Sequence, residues 1–161
     1  MKILIFTEGT ILMHKSAVGH SREEIVEQVK YKESSVKDYS SYIPIGNVVD
    51  KLSRWKSQGA EIVYLTSRKE VKEIEDIKNI LSKYNFPEGE LVYRKEDEEY
   101  KDVAERIMPD ILIEDDCESI GGKDEMTITH ISENKKSKIK SIIIKEFSGI
   151  DHLSDNVSEL V

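Results

Sequence analysis

The stretch MKILIFTEGTIL, residues 1–12, decides how the rest of the chain is read. Ile3 to Phe6 form an uninterrupted apolar run, and Thr7-Glu8-Gly9-Thr10 follows at once. An apolar run without polar alternation is what a parallel strand covered on both faces shows. A glycine directly behind it permits a tight turn. The opening therefore reads as a buried strand running into a turn of the phosphate-binding kind. That turn carries one acid, Glu8, with an aromatic residue, Phe6, two positions earlier.

Outward from this strand the same rhythm repeats. Further apolar runs are Ile62-Val63-Tyr64-Leu65, Ile111-Leu112-Ile113 and Ile142-Ile143-Ile144, with a shorter Leu91-Val92-Tyr93 expected at a sheet edge. Helical spacing lies between them. Val48, Leu52 and Trp55 fall on one face, and Gly59 stops that helix. Val71, Ile74, Ile77, Leu81 and Tyr84 share the face of the next, with Ser67 and Glu70 spaced as a capping box. Val103, Ile107 and Met108 mark a short helix that Pro109 ends.

Strands alternating with helices imply crossover units and a doubly wound, mostly parallel sheet in three layers, an α/β fold with a Rossmann-like core. One domain is expected over 1–161. Residues 11–46 break the rhythm and read as a small cap-like insertion after strand 1, with one helix opened by Ser21 and Glu24. Residues 123–140 (KDEMTITHISENKKSKIK) are expected to be a long loop or hairpin leading to the last strand.

Composition narrows the function classes. The chain has 161 residues, 38% hydrophobic and 35% charged, which suits one soluble core. Its 24 basic residues stand against 32 acidic ones, for a net charge of -8. No concentrated basic face is available, so a nucleic-acid partner is not expected. The single cysteine, Cys117, excludes an internal disulfide and fits a reducing cytoplasm. No run approaches the ~20 apolar residues of a bilayer span, and the start is too short for a signal peptide, so no membrane association is expected.

Three strand ends carry the chemistry: Phe6-Thr7-Glu8-Gly9-Thr10, Leu65-Thr66-Ser67-Arg68 and Glu114-Asp115-Asp116, with Lys101 expected ahead of the helix that leads into the last. In a doubly wound sheet such ends converge on one crevice. In order and spacing, KILIFTEGTIL, GAEIVYLTSR and YKDVAERIMPDILIEDD resemble the haloacid dehalogenase (HAD) superfamily of phosphatases and related hydrolases. That family joins a strand ending D-x-D-G-T, a strand ending in Thr or Ser, a lysine and a strand ending in paired acids. The resemblance spans roughly residues 2–120.

The resemblance implies a role for each matching position. The first aspartate of the pattern attacks phosphorus, and the second protonates the leaving oxygen. Thr/Ser and Lys hold phosphoryl oxygens, and the terminal acids hold Mg²⁺. Glu8 then takes the acid/base position and shares in metal binding. Gly9, Thr10, Thr66 and Lys101 form the phosphate-binding set, and Glu114, Asp115 and Asp116 are the metal acids. The ligand implied is a small phosphorylated molecule.

One departure decides the reading of function. The nucleophile position is Phe6, and a phenyl ring can neither attack phosphorus nor bind a cation. Gly9-Thr10 fixes the register, so the covalent route is closed. Two classes stand. One is a non-catalytic HAD-like protein that binds a phosphate-bearing ligand or a metal. The other is a divergent Mg²⁺-dependent phosphohydrolase that uses metal-bound water with Glu8 as acid/base. A receiver-type sheet shares the alternation, but neither Phe6-Thr7 nor Leu65-Thr66 supplies the phosphoacceptor aspartate it needs.

Each residue also has a plain reading: Glu8 as a turn cap, Thr66-Ser67 as a helix cap, Lys101 as part of a charged helix face and the acid trio as a solvated turn. His14 and His20, in the insertion, read as exposed loop residues, as a substitute base or as an anion contact. No metal spacing joins His130 and His152, and Cys117 reads as packing.

Overall fold

Strand β1 (Lys2–Phe6) is the centre of the sheet. Ile3, Leu4 and Ile5 have no exposed surface, because successive side chains enter cores on opposite faces. The structure, a computed structural model, describes all of residues 1–161. After β1 come β2 (Leu12–Met13), α1 (Arg22–Lys30) and β3 (Ile43–Pro44), which belong to the insertion. Then follow α2 (Val48–Ser57), β4 (Glu61–Leu65), α3 (Val71–Lys83), β5 (Glu90–Val92) and α4 (Tyr100–Ile107). Strand β6 (Ile111–Asp115), two short helices, α5 (Thr127–His130) and α6 (Glu133–Lys136), and β7 (Lys140–Ile144) complete the set.

The five long-range strands pair in parallel in the order β5-β4-β1-β6-β7. The chain runs from β1 outward to β5, then returns to β6 on the other side of β1. That reversal opens a crevice at the carboxyl ends of the central strands. On one face Ile3, Ile5, Tyr64 and Ile113 pack with Trp55 and Leu52 of α2 and Ile77 and Ile80 of α3. On the other, Leu4, Phe6, Val63 and Leu112 pack with Val103 and Ala104 of α4 and Ile128 of α5. The result is a three-layer, doubly wound α/β fold. No helix is long and apolar enough to cross a membrane.

Local signals worked where they did not compete with the tertiary structure. Ser21 and Glu24 form the expected capping box on α1, and Gly59 follows α2 with a left-handed φ of 92°. Three expectations need correction. Ser67 and Glu70 form no capping box: Glu70 itself is the N-cap, without a side-chain bond, because Ser67 faces the crevice. Val71 is 78% exposed, because α3 only begins there and meets the core further on, from Ile77.

Residues 123–140 hold α5 and α6 rather than a loop or hairpin. Met126, Ile128 and Ile131 bury beside α4, and Glu114 fastens the segment's backbone. Two antiparallel strand pieces, β2 and β3, bracket the insertion. From within it, the turn at Tyr39–Ser41 packs against α3.

Candidate functional site

At the end of β1, Thr7 continues the ladder by donating its N–H to the Leu65 carbonyl at 3.0 Å. Its own carbonyl then accepts from the N–H groups of Ile11 and Leu12, which closes the turn. Gly9 sits at φ +81°, and a Cβ there would lie 2.9 Å from Oδ2 of Asp115. This position requires glycine for its backbone angle and for space.

The turn aims Glu8 at the end of β4. Its Oε1 accepts the Thr66 hydroxyl at 2.6 Å. Its Oε2 accepts the Thr7 hydroxyl at 2.5 Å and the Ser67 N–H at 3.2 Å. Arg68 Nε lies 3.4 Å from Oε1. Thr66, expected to hold phosphate, thus donates to a carboxylate of the chain itself. The donors at the end of β4 are already engaged by an internal anion.

Phe6 points to the α4 side of the sheet. It meets the Tyr100 ring edge-on, with centroids 5.2 Å apart, and is 9% exposed. The face of the same Tyr100 ring carries the guanidinium of Arg94, 4.0 Å from the centroid. Burial pushes the Tyr100 hydroxyl pKa upward, and the positive charge of Arg94 opposes the shift. Lys101 lies within the first turn of α4, not ahead of the helix, and pairs with Glu99 at 3.0 Å. That hydrogen bond raises its pKa.

The acids separate into two groups. Asp115 and Asp116 meet Glu146, which follows β7, with one oxygen of each within 4.8 Å of the others. Glu114 is turned away from them. Its carboxylate accepts the N–H groups of Thr127 and Ile128 at 2.7 and 2.9 Å, which anchors the start of α5. Thr10, expected in the phosphate set, donates its hydroxyl to Asp115 at 2.9 Å. Glu146 accepts both the N–H and the hydroxyl of Ser119, at 2.7 and 2.6 Å.

Burial is the main cause that raises the pKa of Asp115 and of Glu114. It pushes Glu146 up to about 7, with Ser119 pulling down and the Asp115 charge pushing further up. Ionising Glu146 therefore weakens the fold as pH rises from its ordinary 4.5 to about 7.

Three carboxylates at this spacing suit Mg²⁺, a hard cation that takes oxygen ligands and keeps several waters. No basic side chain is ion-paired with any of the three, and Arg22, whose field reaches Asp116, is paired with Glu118 at 2.5 Å. A divalent cation would offset the repulsion of two buried acids. Glu146 escaped the sequence reading, although the same rule exposes it: an acid two residues past the apolar run 142–144, as Glu8 is two residues past Phe6.

A cavity of about 470 Å³ joins these parts, with Phe6, Glu8, Arg68, Arg94, Asp115 and Glu146 in its wall. His14 is 1% exposed and bonds Gln28 at 2.7 Å, against the expectation of an exposed loop histidine. His20 is surface-exposed beside Glu24, and burial pushes the Cys117 thiol pKa up, in line with packing.

No protein-family model matches the chain, and no curated protein matches its sequence. Among solved structures it is similar to the crystal structure of D,D-heptose 1,7-bisphosphate phosphatase from Burkholderia thailandensis. Identity is 10% over 91% of this chain and 93% of that one, with a TM-score of 0.47.

Proposed function

We propose that this chain is a HAD-like protein that holds a phosphate-bearing small molecule in the cavity and does not turn it over by the covalent route. The observation that carries this reading is Phe6, a ring packed against Tyr100 where the pattern places an attacking carboxylate. A phenyl ring supplies no nucleophile. Glu8 is not poised over an open space either, since Thr7, Thr66, Ser67 and Arg68 hold its carboxylate. The 11–46 segment serves as a small cap, bringing Tyr39 over the crevice, where its ring lies 4.4 Å from the Arg68 guanidinium.

The Asp115, Asp116 and Glu146 cluster favours a second reading, a metal-dependent phosphohydrolase. In it these three residues would hold Mg²⁺, which supplies charge neutralisation and a more acidic water. Glu8 would then move the proton. The two readings separate on one assay. Purified protein is incubated with Mg²⁺ or Mn²⁺ and a panel of phosphate esters, beside Glu8→Gln. Silence across the panel supports the binding protein. Hydrolysis that disappears in Glu8→Gln supports the enzyme.

A further inference from the structure

We infer that Arg94 is the anion contact of the cavity, and that the phosphate group of the ligand sits at its guanidinium rather than at the Thr66 end of β4. This rests on the reading of the cavity as a phosphate-binding pocket. The donors that could hold an anion there differ in what they already touch. Thr66 and the Ser67 N–H donate to Glu8. Arg68 is engaged by Glu8, Glu73 and the Tyr39 hydroxyl. Lys101 is paired with Glu99. The Nε atoms of Arg68 and Arg94 are both buried without a hydrogen-bond partner, but Arg68 has carboxylates beside it and Arg94 makes no ion pair.

A buried guanidinium Nε with no acceptor is costly, and an anion at the fork supplies the acceptor. Stacking on Tyr100 fixes the plane of the fork, which leaves its N–H edges to meet oxygen atoms. A planar fork of donors matches the oxygens of a phosphate in pairs, as an ammonium does not. The rest of the cavity points the same way. Glu8 fills the β4 end, and Asp115 and Glu146 make another part of the wall repulsive to an anion. The ring of Phe6 stands against Tyr100, so the anion is held beside the Arg94 guanidinium over that ring and not at the nucleophile position.

The test is calorimetric titration of the full chain with inorganic phosphate, without divalent metal, using wild type, Arg94→Ala, Arg94→Lys and Thr66→Val. Thermal melting of each variant establishes that it is folded. Wild type is expected to bind. Arg94→Ala should weaken binding by roughly tenfold or more, the scale of a lost charged hydrogen bond. Arg94→Lys should fall between them, since it keeps the charge and loses the fork; it also stands in should Arg94→Ala fail to fold. Wild-type affinity in both Arg94 variants overturns the assignment. Binding lost in Thr66→Val and kept in the Arg94 variants would place the phosphate at the end of β4 and likewise overturn it. Absence of phosphate binding by wild type overturns the pocket reading itself and the assignment with it.

Discussion

The carboxylate of Glu8 accepts the hydroxyl hydrogen of Thr66 at 2.6 Å, so the acid at the end of β1 occupies the donor at the end of β4. In the resemblance both serve a phosphoryl group, Glu8 as acid/base and Thr66 as a phosphate contact. Here they serve each other, with Ser67 and Arg68 completing the ring of donors around one carboxylate.

Removing this internal anion should expose its donors. Glu8→Ala is expected to add a second phosphate site at the end of β4, beside the one at Arg94, through the freed donors and one negative charge fewer. Calorimetric titration beside wild type checks it. A single site of wild-type affinity would mean that the donors at β4 hold no anion even when freed.

The turn itself depends on Gly9. A methyl group there meets Asp115 Oδ2 and must adopt a left-handed φ of +81°. Gly9→Ala should lower stability by about 1–3 kcal/mol, read from urea unfolding at constant slope. A neutral result would show that the turn relaxes freely.

Divalent metal should stabilise the chain through Asp115, Asp116 and Glu146. With Mg²⁺ at a hundred times its Kd the gain is about 2.7 kcal/mol. A thermal melt with and without Mg²⁺ should show an upward shift in wild type that is absent in Glu146→Ala. Equal shifts in both proteins would place the ion elsewhere.

The helix pair α5 and α6 is latched to α4 by Glu105, which accepts the Ser132 N–H at 2.9 Å and pairs with Lys135 at 2.7 Å. The Lys135 hydrogen bond first, and then the Ser132 N–H, lower its pKa from 4.5 to about 2. A folded pKa below the unfolded one stabilises the chain above about pH 4.5, and that stability is lost as pH falls toward about 2. Glu105→Gln should therefore flatten the acid limb of stability in that window. A wild-type limb of unchanged steepness would show that the latch does not form.

The sheet was legible because its strands are continuous apolar runs: Ile3 to Ile5 and Ile111 to Ile113 are fully buried, and the sequence shows them without interruption. Edge status was harder to read. Ile143 is 40% exposed because β7 has a neighbour on one side only, which three consecutive isoleucines conceal. At the site, residue identity was legible and direction was not. Glu114, Asp115 and Asp116 are adjacent in the sequence, yet strand alternation sends Glu114 to the start of α5 and Asp115 toward Thr10. Glu146 lies 30 residues beyond Asp116, and only the pairing of β6 with β7 brings them together. The helices at 127–136 were hidden for a similar reason, since a buried carboxylate elsewhere in the chain starts the first of them.

The central claim is that the chain, with Phe6 where an attacking carboxylate would stand, does not hydrolyse phosphate esters, and steady-state hydrolysis of p-nitrophenyl phosphate with Mg²⁺ tests it most directly. Wild type should stay at the rate of a buffer control, as should Glu8→Gln. Wild-type turnover well above that control, abolished by Glu8→Gln, would contradict it.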